Sequence, residues 1–482
     1  MDGHGTSPKG RCEGIPDPSE VSTLGKLSVF SNHQLGHSDI SRHGFEVFKM
    51  VIYHPYGMNP PKKESPMRKN TIFLSLCVLI IFLCCALNVC SPEQKSIKRQ
   101  TIQIGESDIQ DKNVVFYKTR EFRGQERTYL ATDLSLVEKP VSLDEFTQYF
   151  HNPPVRQNRT STCWCFATTS FFESELKRLG RGEFKLSELY TVYWEFLEKA
   201  RGFIQRKGDR LFTAGSEHNA VITRMKEYGA VPASAYSGLL PGQTEHDHSQ
   251  LYKEIETYLM FCKEHGYWDE DKAVSYVKSI LNKYLGAPPE TIQLNGRTIT
   301  PEEYLDEILQ IPLDDYVSLI SFKYIPFYTK GEFRVPDNWW HSEEYYNVPL
   351  DEFYGAIVTA LKNGYTVDFG GDVSEPGISG DDDIAIIPTF DIHPRLIDQD
   401  SREFRFNKKT STDDHAIHAV GIKEAGDRTW FLIKDSGGSA QRGQLPGYLM
   451  YRDDYVKLKM LTITVHKDAV SELLAKFSQT HP

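Results

Sequence analysis

The stretch Gln157-Asn158-Arg159-Thr160-Ser161-Thr162-Cys163-Trp164-Cys165-Phe166 decides the fold. From Cys163 to Leu179 apolar residues recur at helical spacing, with Phe166, Phe171 and Leu176 on one face. Gly180 and Gly182 then stop the helix. A cysteine that opens a helix feels the partial positive charge of the N-terminus, which favours the thiolate. A glutamine six residues earlier can place its amide beside the cysteine N–H, and two such donors make an oxyanion hole. Cys165, about 200° further round the helix, faces the core.

Working outward, the second informative stretch is Asp413-Asp414-His415-Ala416-Ile417-His418-Ala419-Val420-Gly421. It puts a histidine just before a strand. A hairpin follows and ends in Lys434-Asp435-Ser436-Gly437-Gly438, and Gly447-Tyr448 comes shortly after. His418 sits inside the strand and reads as a packed histidine. Between the two stretches, helical periodicity covers 185–201, 220–228, 250–265, 271–284 and 301–309. Strand-like runs come late, at 365–369, 418–423, 429–434, 447–451 and 459–465. Helices first and strands last predict an α+β fold of two lobes, not alternating βαβ units.

These four pieces, in this order, resemble the papain-like cysteine peptidases, whose pattern is Gln-x5-Cys-Trp, His-Ala-x-x-Ala-Val-Gly, Asn-Ser-Trp-Gly and Gly-Tyr. Cys163 and His415 are 252 residues apart, well beyond the compact family's spacing of about 130. The extra chain, about 239–350, reads as a large helical insertion, which resembles the bleomycin hydrolase / aminopeptidase C branch. The resemblance implies a papain-like domain over 139–482. Its helical lobe opens with the cysteine helix, and its antiparallel β lobe carries the histidine and Asp435. It implies Cys163 as nucleophile, His415 as proton carrier, Asp435 orienting His415, and Gln157 in the oxyanion hole. Trp164, Gly215, Ser216 and Asp414 would line the substrate groove. It implies peptide substrates, hydrolysis through a thioester, removal of N-terminal residues, no cofactor and no metal, and it leaves room for a homo-oligomer.

Three departures stand out. Asp435 replaces the family's usual asparagine. Gly437 replaces a tryptophan that shields the histidine's hydrogen bond, so water is expected to reach that bond. The branch's C-terminal arm, which lies in the cleft and captures the substrate amine, is here a short helix-like run at 468–477. These departures keep open a second reading: a catalytically weakened relative that binds peptides or a partner.

The first ninety residues differ in kind. Residues 1–92 carry 9 Lys/Arg against 7 Asp/Glu, and the remaining 390 carry 46 against 59. An acidic body argues against nucleic-acid binding, since phosphate needs a basic surface. Ile72–Val89 is almost wholly apolar and free of charge, long enough to insert into a membrane. Two readings stand: a signal peptide starting at Met67, cleaved or lipid-anchored, which makes 1–66 an upstream-start artefact, or a single anchor (71–90) behind a disordered tail; Leu87-Asn88-Val89-Cys90 faintly resembles a bacterial lipoprotein cleavage site. Either reading places 67–92 as the export segment, 93–138 as a linker or arm, and the body in the cell envelope or outside. Of eight cysteines only Cys163, Cys165 and Cys262 fall in the body, which excludes a disulfide scaffold. Asp368-Phe369-Gly370 has no phosphate loop beside it, the acidic run at 381–383 lacks calcium-loop spacing, and Glu245-His246-Asp247-His248, though it holds metal-binding residue types, reads as the lead-in to the next helix.

Overall fold

The computed structural model describes residues 114–122 and 124–480. The expectations for 1–66, 67–92 and the first part of 93–138 lie outside these residues. Among the described residues no helix is long and apolar enough to cross a membrane. The rest of the expected linker is ordered as a hairpin. Strand β1 (Val115–Phe122) pairs antiparallel with β2 (Gln125–Thr132), in register from Val115 opposite Thr132. Gly124, at φ 73°, supplies the left-handed residue that the turn between them needs.

Helix α1 (Cys163–Arg178) is buried along nearly its whole length, from Trp164 to Leu176. Phe171, Phe172 and Leu176 are fully enclosed, and each such side chain contributes about 1.5–3 kcal/mol of burial free energy. Its polar residues are matched rather than stranded. Glu173 pairs with Lys185 at 2.8 Å and Glu175 with Arg178 at 2.6 Å. Around α1 pack α2 (Glu188–Gln205), α3 (His218–Tyr228), α4 (Ser249–Glu264) and α5 (Glu270–Leu285), sharing one apolar core. Ser187 and Asp269 cap α2 and α5 through their side chains, and Gly229 and Gly286 end α3 and α5 at positive φ.

The inserted stretch is helical only in its first half. From Tyr316 it becomes strand β3 (Tyr316–Ile320), and short strands at Thr329–Gly331 and Tyr345–Asn347 extend the sheet beyond it. The central strands are β4 (Val367–Gly371), β5 (His415–Ala425), β6 (Arg428–Lys434), β7 (Tyr448–Arg452) and β8 (Met460–His466). They lie side by side in the order β7-β6-β5-β4-β8-β3. Helix α6 (Leu350–Lys362) and helix α7 (Asp453–Lys459) cover the sheet with a second core that includes Phe353, Ile357, Phe369 and Ile463. The last described helix, α8 (Ser471–Thr480), is held by Phe477 against Tyr328 and Tyr346 and by Lys476 on Glu352 at 2.8 Å.

Candidate active site

Two local rules of folding bring the candidate residues together. The hairpin β5–β6 turns back at Gly426, so its open end holds the first residue of β5 and the residue after β6. Those residues are His415 and Asp435. They are 20 apart in sequence, and His415 Nε2 lies 2.7 Å from Asp435 Oδ1. The second rule is the helix start. Thr162 precedes α1 without a side-chain cap, its hydroxyl being donated to Thr160 Oγ1 at 2.7 Å. Cys163 therefore opens the helix half-buried, while its neighbours Trp164 and Cys165 are enclosed. Cys163 stands close enough to the imidazole to act on its charge. Asp435 takes Nε2, so Nδ1 is the ring nitrogen left for the sulfur.

Burial alone would strip the charge from His415. The Asp435 carboxylate and then Cys163 outweigh it and hold the imidazole well above its ordinary range. Burial likewise pushes Asp435 up, but His415 and the Gly437 N–H more than reverse this, and the carboxyl is held below its ordinary value. The Gly437 N–H donates to Asp435 Oδ1 at 2.6 Å. This corrects the expectation that a glycine here admits water. Gly437 is buried, and a Cβ on it would stand 3.0 Å from Asp435 Oδ1 and 3.2 Å from His415 Nε2. The glycine backbone itself lies over the histidine–carboxylate bond.

Gln157 is tied to Ser436 twice, once by its backbone and once by its side chain. Its backbone N–H donates to Ser436 O at 3.0 Å, and its Oε1 accepts from Ser436 Oγ at 2.8 Å. This orients Nε2, its two-hydrogen donor, as the free end. Asn158 and Ser161, both at positive φ, curve the chain between Gln157 and the helix. The acidic-histidine run 245–248 has a structural use here: Arg159 N–H donates to His246 O at 3.2 Å, His248 N–H donates to Arg159 O at 3.0 Å, and Arg159 pairs with Asp247 at 3.0 Å. His418 is buried, on Ser170 Oγ at 2.9 Å. Cys165 is sealed under Glu188, and burial raises its thiol far above the ordinary value.

The four expected groove residues separate into two pairs. Trp164 is 1 % exposed and donates to Ala214 O at 3.1 Å, and Ser216 turns inward to Glu195 Oε1 at 2.7 Å. Both are buried. Gly215 is half-buried. Asp414 is exposed, and its carboxylate accepts from Val373 N–H at 2.9 Å and from the Ser374 hydroxyl. Sequence reasoning missed Ser436, Glu217, Asp413 and Asp337. Ser436 was legible only as part of the loop after β6. The other three come from three separate regions of the chain.

The arrangement places a half-buried cysteine at a helix N-terminus, an imidazole held by a buried carboxylate, and an oriented amide donor. Those are the parts for acyl transfer through a thioester. The comparisons agree. Aminopeptidase C of Listeria monocytogenes serovar 1/2a is 25 % identical over 368 residues, covering 67 % of this chain and 82 % of its own. Aminopeptidase C of Lactococcus lactis subsp. cremoris is 23 % identical over 373 residues, covering 69 % and 85 %. The crystal structure of PepW from Lactobacillus rhamnosis HN001 superposes with a TM-score of 0.58 at 18 % identity, over 70 % of this chain and 84 % of that one, which establishes a shared fold. The model of the Peptidase C1-like family matches residues 137–482, from the end of the hairpin arm through the whole body, and the chain belongs to that family.

Proposed function

We propose that this cysteine-type peptidase is an aminopeptidase working through Cys163, His415 and Asp435. The observation that carries the reading is the 2.7 Å bond from His415 to a buried Asp435 whose carboxyl is held below its ordinary value, with Cys163 close enough to act on the imidazole's charge. In this reading Cys163 attacks the scissile carbonyl carbon as a thiolate. Gln157 Nε2 and the Cys163 N–H take the carbonyl oxygen as it becomes an oxyanion. His415 gives its proton to the leaving amine, and then takes one from the water that opens the thioester. Asp435 keeps the ring oriented and its charged form stable throughout. The relatives named aminopeptidase support the exopeptidase mode.

The test is hydrolysis of paired peptide amides, with a free and with an acetylated N-terminus, by the wild-type chain and by Cys163→Ala. Free-amine substrates should be cut faster and the variant should be inert. Equal rates on both substrates sink the exopeptidase mode, and a fully active variant sinks the chemistry. We further propose that residues 67–92 export the body, on the strength of the uncharged apolar run Ile72–Val89. Mass spectrometry of the mature N-terminus tests this, and an intact Met1 on a protein recovered from the cytosol would refute it.

A further inference from the structure

Gly215 is crowded in a way its sequence does not announce. A Cβ on it would lie 2.2 and 2.3 Å from the two carboxylate oxygens of Asp337, so that carboxylate rests directly on the glycine. The Gly215 carbonyl is also occupied, accepting from the buried Lys199 Nζ. This piece of backbone therefore has little left to offer a peptide running further along the groove.

Asp337 is placed there by a fixed loop. The buried Asn338 amide donates to Phe333 O and Ser342 O, both at 3.0 Å, and its Oδ1 accepts from Ser342 N–H at 3.0 Å. Trp339 donates to Leu211 O at 2.9 Å, and its ring lies against Gly202 on α2, where a Cβ would stand 2.9 Å away. Trp340 donates to Glu195 Oε1 at 2.9 Å. The loop is thus pinned to α2 and to the chain leading into Gly215.

Beside Asp337 stand Glu217, two residues beyond Gly215, and Asp413, two residues before His415. Glu217 is 2 % exposed, and its Oε1 has no hydrogen-bond partner. It faces Asp413, Asp337 and Cys163. The cations that face this group are Lys199 beside Asp337 and Glu217, with Arg224 next to Lys199, and His415 beside Asp413. Lys199 Nζ is committed to Gly215 O and also to Thr213 O at 3.4 Å, Arg224 to Glu195 and Glu227, and His415 to Asp435. Burial pushes all three up: Glu217 well above the carboxylate range, with Asp413 adding to it; Asp337 up against the pull of Lys199; and Asp413 up to about 7 against its contact with Glu217. A cluster in that state gains by receiving a cation that can bond to it.

We propose that Asp337, Glu217 and Asp413 form the end wall of the cleft and bind the protonated α-amine of a peptide's first residue. The proposal rests on the aminopeptidase reading and says which residues of this chain impose it. A blocked N-terminus lacks the positive charge and brings an acyl group to where Asp337 already covers Gly215. The described part of α8 is held on Tyr328, Tyr346 and Glu352; the carboxylates proposed here belong to the body and the inserted loop.

The test is a binding measurement that needs no turnover. The full chain carrying Cys163→Ala is titrated calorimetrically with leucyl-glycinamide, N-acetyl-leucyl-glycinamide and N-acetyl-lysyl-glycinamide. The free-amine compound should bind about 10- to 100-fold more tightly than its acetylated form, the worth of one charge-assisted hydrogen bond. Asp337→Asn and Glu217→Gln in that background should each remove most of the preference. Gly215→Ala, which must displace Asp337, should do the same by a different route. A preference that survives all three variants overturns the proposal. So does tightest binding of the acetylated lysyl compound, which would make the wall a pocket for a basic side chain. A wild-type chain that cuts no peptide while its Cys163→Ala form keeps the amine preference would sink the peptidase reading and uphold the amine site.

Discussion

Replacing Asp435 by asparagine restores the residue usual in papain-like peptidases and removes one charge with almost no change of shape. Asp435 Oδ1 accepts two bonds, from His415 Nε2 at 2.7 Å and from Gly437 N–H at 2.6 Å. The amide oxygen of asparagine can keep both, so the ring stays in place and only the ionic contribution is lost. A hydrogen bond to a charged group contributes about 1.5–3 kcal/mol and a neutral one about 0.5–1.5. The difference, about 1–1.5 kcal/mol, destabilises the imidazolium about tenfold. The sign follows from the shift. His415 is raised in the folded protein, so its charged form persists below that value and is lost as pH rises through it. Asp435→Asn should therefore move the basic limb of the kcat/KM profile to lower pH and leave the rate at the acidic end of the plateau nearly intact. Asp435→Ala, which orphans both donors, should lose rate across the whole profile. The assay is kcat/KM against pH on a free-amine peptide amide. If the asparagine variant keeps the wild-type basic limb, the carboxylate is not what holds the charge on His415.

Gln157→Ala should lower kcat about 100- to 1000-fold with little change in KM, as removal of an oxyanion donor does elsewhere; a larger effect on KM than on kcat would reassign the residue to substrate binding. Among the body's three thiols, a thiol-directed epoxide should label the native protein once, at Cys163, because Cys165 and Cys262 are buried. Peptide mapping that finds Cys165 modified without denaturant would contradict the packing of α1. Lys434 is buried against Ser170 Oγ at 2.8 Å, and burial lowers its amine to about 8. Between about pH 8 and the unfolded-chain value the unfolded state binds the extra proton, so this group makes stability rise with pH there. Lys434→Met should flatten that rise and stabilise the protein at pH 7 by about 1–3 kcal/mol, measured by urea unfolding; a destabilised variant would show that the Ser170 contact outweighs the burial cost.

The parts of the fold that the sequence announced are those with a local signature. The apolar period of α1, α4 and α5 shows helices to within a few residues, and the alternation in β5 and β6 shows the hairpin that joins His415 to Asp435. Helix α6 went unread because its last turn, Ala360-Leu361-Lys362, runs through Gly364 into β4 and looks like a strand lead-in. Strand β3 went unread because it borrows its partners, β8 and Tyr345–Asn347, from far along the chain. In the site, Cys163, His415 and Gln157 lie in short motifs whose chemistry is written in their spacing. Asp337 does not. It stands in Pro336-Asp337-Asn338-Trp339-Trp340, a turn like many others, and its meaning comes only from resting on Gly215, more than a hundred residues earlier. Trp164 and Ser216 err in the other direction: motif position put them at the groove, and packing buried them.

The two bonds between Gln157 and Ser436 have a mechanical consequence. Gln157 belongs to the segment that leads into α1, and Ser436 is the neighbour of Asp435 on the loop after β6. The amide that would hold the oxyanion and the loop whose carboxylate holds the imidazole are thus fastened to each other directly. If the helical and β sides part, the latch opens, and oxyanion support and proton carrier are lost in one event. The enzyme then has no half-competent form. On warming, its activity should disappear along a single sigmoid, with the pH profile and substrate preference of the surviving molecules unchanged up to the last of them.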